Sequence, residues 1–118
     1  MKDDQIEYFI HGFIEAMLFA TPDEDDHALE VNYTIEDVED TARDSIKKDC
    51  LSFIKKAGDL LDSGDLEQHG QDFFFERQGH GVGFRDRDLE PKTAKKLSVI
   101  AHKFPEIYVF ELEGEICI

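Results

Sequence analysis

The sequence predicts an α+β domain of order ααββαββ: two N-terminal helices, a β-hairpin, a third helix and a second β-hairpin. The simplest arrangement is one antiparallel four-stranded sheet with the helices on one face. Three observations lead there. Apolar residues recur at helical spacing in two stretches before residue 70 and one after residue 90. Short aromatic or β-branched runs flank Gln78-Gly79 and Glu113-Gly114, both turn dipeptides. Finally, 118 residues with 41% apolar content and ten phenylalanines suffice for one buried core, so residues 1–118 form a single domain.

The first helix is "IEYFIHGFIEAMLFA", with Ile6, Phe9, Ile10, Phe13, Ile14, Met17 and Leu18 on one wide face after Asp3 or Asp4 as cap. Gly12 costs this helix about 1 kcal/mol against alanine unless a neighbour packs closely there. Pro22 and four consecutive acids end it. Residues 21–37 form a long loop anchored by Leu29, Val31, Tyr33 and Ile35, of a length that in a compact domain marks function or mobility. The second helix starts between Val38 and Thr41. Its stripe is Ile46, Cys50, Phe53, Ile54, Ala57, Leu60 and Leu61, and Gly64 of "DSGD" punctuates its end. "EPKTAKKLSVIAHKF" is the third helix, with Pro91 in its first turn and Pro105 as its stop. "IYVFEL" and "EICI" close the chain as a hairpin across Glu113-Gly114.

Residues 72–85 pair as the other hairpin around Gln78-Gly79. That register puts Phe73, Phe75, Val82 and Phe84 on the core face and sets Phe74 beside Gly83 on the other. It also sets Asp72 across from Arg85 as an opposite-charge pair. Gly79 supplies the positive φ of the turn, and His80 flanks it opposite Arg77. "GHGVGF" lacks both the spacing and the following helix of a phosphate loop. Its histidine has no sequence-fixed carboxylate or nucleophile to act with.

Charge is the strongest functional signal. The chain has 28 acids, 13 bases and a net charge of −15, and residues 1–45 hold 14 of the acids with only 2 bases. Such a field repels nucleic acid and anionic membranes and attracts a basic partner. The clustered carboxylates are Asp23, Glu24, Asp25, Asp26, Glu30, Glu36, Asp37, Glu39, Asp40 and Asp44. A calcium loop does not fit "DEDDHALEVNYT", where Ala28 takes the place of the turn glycine and Thr34 that of the bidentate glutamate. His11, His27, His69, His80 and His102 have no metal-ligand spacing. His11 and His102 border apolar stripes. Cys50 and Cys117 read as reduced thiols, Cys50 on the core face of its helix. No cofactor or metal motif is present. "RDRDLEPK" reads as a salt-bridged turn into the third helix. No apolar run reaches a membrane span, and "MKDDQIEYF" is acidic where a signal peptide is basic, so a cytoplasmic setting is expected.

The stretch "QDFFFERQGHGVGFRDRDL" resembles a family of small, uncharacterised acidic proteins of bacteriophages and bacterial mobile elements, whose motif is D-F-W-x-T-R-x-G-H-G-x-G-F-W-D-R. The matching residues are Asp72, Phe73, Arg77, Gly79, His80, Gly81, Gly83, Phe84, Asp86 and Arg87. "NYTIEDV" and "YVFELEGEI" also have counterparts, so the likeness spans most of the chain. Phe74 and Arg85 stand where the motif has tryptophans. The resemblance brings no catalytic residue with it and implies a phage or mobile-element setting.

Charge and resemblance together predict a non-enzymatic interaction protein. It binds a basic, nucleic-acid-handling host protein, of the nuclease, defence-complex or polymerase class, as a DNA mimic or inhibitor, without binding nucleic acid itself. One alternative is a small enzyme or anion-binding domain using a hairpin edge of Arg77, His80 and Arg85. Another is an assembly subunit joined through a sheet edge or the first helix.

Overall fold

The computed structural model describes residues 1–61 and 65–118. Helix α1 spans Asp3–Ala20, α2 Asp40–Ala57, α3 Leu66–Arg77 and α4 Pro91–His102. Strands β1 (Phe110–Leu112) and β2 (Glu115–Cys117) form the only sheet among the described residues. The expected four-stranded sheet is therefore absent there, and the fold is mainly helical with one small antiparallel ladder. That ladder is the expected second hairpin, with Leu112 opposite Glu115 across Glu113-Gly114. A parallel bridge from Val38 to Ile116 ties it to the start of α2.

The helix ends follow local chemistry. Asp3 and Asp4 occupy the first turn of α1, where carboxylates complement the helix dipole, although the cap position itself is Lys2. The Glu39 carboxylate accepts the Thr41 and Ala42 N–H groups at 3.0 and 3.1 Å and starts α2. Glu90 does the same for α4, at 3.1 Å from Lys92 N and 3.0 Å from Thr93 N, with Pro91 at the first helical position. Gly58 ends α2; the Gly64 expected in that role lies outside the described residues.

The expected hairpin at 72–85 is a helix followed by a loop. Asp65 caps α3 by accepting the Gln68 N–H at 3.1 Å. Leu66, His69, Gly70, Phe73, Phe74 and Arg77 then fall at i, i+3, i+4, i+7, i+8 and i+11, a single helical face. Gln78 is the last helical cap and Gly79 takes φ 69°. His80 N–H donates to Phe75 O at 3.0 Å and Gly79 N–H to Glu76 O at 3.2 Å. These are the two bonds of a Schellman motif, and the His80 ring packs 5.8 Å from Phe75 as its accompanying contact. The GHG of "GHGVG" is thus a helix stop. Gly79 does supply a positive φ, to a helix C-terminus and not to a hairpin.

The side-chain pairing changes with it. Asp72 is fully buried and meets Arg87, not Arg85, through three hydrogen bonds of 2.8–3.1 Å. Phe73 and Phe84 are in the core as expected, but Val82 is exposed and Phe74 is buried.

Helices α1 and α3 cross at backbone contact. A Cβ on Gly12 would stand 1.9 Å from Glu67 O, and one on Gly70 1.9 Å from Phe9 O. The close neighbour that would justify Gly12 is therefore α3. Over this crossing the rings form one cluster: Phe53 stacks on Phe73 at 4.3 Å and on Phe84 at 5.8 Å, and Phe104 meets Phe73 edge-on at 5.0 Å.

Candidate functional site

The ten carboxylates of residues 23–44 divide by what holds them. Three serve the local backbone. Asp23 Oδ1 accepts the Asp25 and His27 N–H groups at 2.8 and 2.9 Å, which folds the loop where a calcium site was considered. Asp37 accepts the Thr34 N–H at 2.8 Å, and Glu39 caps α2. The backbone N–H groups at its cap hold the Glu39 carboxyl below the usual range. The other seven, Glu24, Asp25, Asp26, Glu30, Glu36, Asp40 and Asp44, are exposed. None of the ten takes part in an ion pair among the described residues. No lysine or arginine occurs between Lys2 and Arg43, and Arg43 turns its guanidinium inward to the Ile35 carbonyl.

A groove of about 480 Å³ opens inside this region. The loop contributes Asp23, Glu24, Asp25 and Tyr33, and the last hairpin contributes Tyr108, Phe110 and Glu111. Tyr108 is 79% exposed yet stacks on Phe110 at 5.6 Å, with 25° between the ring planes. Partial burial, then the charge and hydrogen bond of Glu111 and the charges of Asp37 and Asp23, push the Tyr33 phenol above its usual range. Sequence reasoning found the loop acids but missed Tyr108, Phe110 and Glu111. They lie some 80 positions further along the chain, in a hairpin tied to the start of α2 by the bridge from Val38 to Ile116.

The alternative edge of Arg77, His80 and Arg85 does not assemble. Arg77 is buried, paired with Asp49 at 2.9 Å, donating to Pro105 O at 2.7 Å and lying over the Phe73 and Phe104 rings. It is a core residue. His80 is exposed at the helix stop. Arg85 instead lines a cleft of about 820 Å³ between the GHGVG loop and α4, with Glu76, Asp86, Ser98, His102 and Lys103. Glu76 Oε1 stands 3.7 Å from His102 Nε2, and the buried Glu76 Oε2 accepts no hydrogen bond.

Cys50 is buried, and burial pushes its thiol far above the usual range, so it is unreactive. Burial likewise raises the Cys117 thiol, with Glu39, Glu115 and Glu111 adding to it. Both cysteines are free thiols. Among the described residues one group could hold a metal ion: His11, Glu15 and Glu67, with ligand atoms within 4.8 Å of one another. Sequence reading placed His11 merely at the edge of an apolar stripe; the His-x-x-x-Glu spacing on one helix was the available signal. No helix of the described residues is long and apolar enough to cross a membrane. Compared with known protein families, curated proteins and solved structures, the chain gives no significant match.

Proposed function

We propose that this protein is a non-enzymatic acidic interaction module whose N-terminal half docks onto a basic, nucleic-acid-handling host protein and displaces nucleic acid from it. The observation that supports this reading best is the groove formed by Asp23, Glu24, Asp25 and Glu111 around Tyr33, Tyr108 and Phe110. Carboxylates beside open aromatic faces suit an arginine, whose guanidinium both forks onto carboxylates and stacks on rings. Five further exposed carboxylates of the same segment supply the longer-range attraction that steers a basic surface in. The resemblance of residues 72–87 to the phage and mobile-element family supports a setting in which host machinery is the target.

The test is capture of partners by the tagged protein from nuclease-treated host lysate, with elution by a salt gradient. The expected partner is a basic nucleic-acid-handling protein, released by moderate salt and by added duplex DNA. Capture insensitive to both salt and DNA would refute the proposal.

One observation favours a second reading, a small-ligand site. Glu76 sets Oε1 3.7 Å from His102 Nε2 and leaves its buried Oε2 without a hydrogen bond, beside a cleft that also holds Arg85 and Lys103. A ligand that stabilises the wild type but not Glu76→Gln would establish it. Equal stabilisation of both, or none, would remove it.

A further inference from the structure

We infer that His11, Glu15 and Glu67 form a binding site for a divalent transition-metal ion, zinc above all, that clasps α1 to α3. The site sits on the backbone contact where α1 and α3 cross. Gly12 lets the Glu67 carbonyl approach to where its own Cβ would be, which fixes residue 67 beside the α1 turn carrying His11 and Glu15. His11 and Glu15 are four apart and share a face of that helix. Three ligating side chains are therefore held by two rigid helices and not by a loop.

The distances suit a metal. Zinc–nitrogen and zinc–oxygen bonds near 2.0–2.2 Å in a tetrahedral site place neighbouring donors about 3.4 Å apart. His11 Nε2 and Glu15 Oε1 already stand 3.5 Å apart. All three ligand atoms lie within 4.8 Å, which side-chain rotation closes. Glu15 Oε1 is buried and has no hydrogen bond, with His11 Nε2 standing 3.5 Å away. Two facing carboxylates repel each other across this crossing, and a dication between them turns that repulsion into attraction. One imidazole with two carboxylates selects a borderline ion such as Zn²⁺, Co²⁺ or Ni²⁺ over Mg²⁺ or Ca²⁺, which take all-oxygen sets. Water completes the coordination of a three-ligand site.

The experiment is calorimetric titration of the chelator-stripped full chain with ZnCl₂ and, separately, MgCl₂, alongside thermal melts in each. The expected result is one saturable zinc site per chain, no comparable magnesium site, and a melting temperature that rises with zinc concentration. His11→Ala and Glu67→Gln should each lose the saturable heat and the zinc-dependent rise. Glu24→Gln with Asp25→Asn, which removes carboxylates from the groove, should keep both. Metal-free melts and circular dichroism identify any variant that fails to fold, and His11, half-exposed on the helix surface, is the variant least exposed to that failure. Zinc binding that is non-saturable, or equal in wild type and in folded His11→Ala, would overturn the inference.

Discussion

The α1–α3 crossing and the acidic segment 23–44 use the same residue types in opposite ways. At and around the crossing, acids are at least partly buried and set against specific side chains. Asp72 is fully buried on the Arg87 fork, Asp49 holds buried Arg77, and Glu67 faces His11 and Glu15. In residues 23–44, three acids turn back onto their own backbone and seven face solvent, none of them in an ion pair among the described residues. Carboxylates of the first kind specify the fold. Of the second kind, Asp23, Asp37 and Glu39 serve only the local backbone, and the seven exposed acids are free to act on the surface field. Position along the sequence does not separate the two kinds; the partner of each oxygen does.

This division can be broken from either side. The largest effect is expected at the crossing. Gly70→Ala drives a Cβ to 1.9 Å from the Phe9 carbonyl, and because backbone cannot rotate aside, the loss should be about 3 kcal/mol or more, measured by urea unfolding. An unchanged midpoint would mean that the helices do not touch there. Next comes the buried pair. Burial raises the Asp72 carboxyl against the opposing pull of Arg87, and Asp72 in turn raises the Arg87 guanidinium. Arg87→Met strands an enclosed carboxylate and should cost about 3 kcal/mol. Asp72→Asn leaves an arginine that still reaches solvent and should cost less, about 1–2 kcal/mol. The reverse order would show that the arginine, and not the acid, is the enclosed partner.

Smaller effects sharpen the other side of the comparison. Glu24→Gln, Asp25→Asn and Glu36→Gln together should leave the unfolding midpoint unchanged or raise it, because these groups are exposed and outside the ion pairs. A clear destabilisation would place them among the fold-specifying acids. The smallest effect concerns pH. The Glu39 and Glu90 carboxyls are held below their ordinary 4.5 by the backbone N–H groups they cap. A depressed native value means stability that is present above pH 4.5 and lost as pH falls through the native values. The acid limb of the stability curve should become shallower in Glu39→Gln with Glu90→Gln; an unaltered limb would assign acid unfolding to other groups.

Helices α1, α2 and α4 and the last hairpin were legible because their apolar residues keep one period from end to end. Helix α3 was not. Its buried face is His69, Gly70, Asp72, Phe73, Phe74 and Arg77, so polarity hides the period, and "DFFFER" beside a glycine-rich stretch has the composition of a strand and turn. The signals that could have found it were Asp65 as a cap and a second glycine, Gly70, able to answer Gly12 across a helix crossing. The same misreading paired Asp72 with Arg85 when its partner is Arg87, two residues on. The acidic half of the groove was legible as a run of carboxylates. Its aromatic wall was not, because Tyr108 and Phe110 reach Asp23 through tertiary contacts that no local pattern records.

The most direct measurement is the affinity of a fluorescent arginine-rich peptide for the wild type across a salt series, set against Tyr108→Ala with Glu111→Gln, two exposed positions of the groove. The wild type should bind, weaken steadily with salt as screening grows, and lose most of its affinity in the double variant while melting unchanged. Equal affinity and equal salt dependence in the two proteins would contradict a groove built to receive a basic partner.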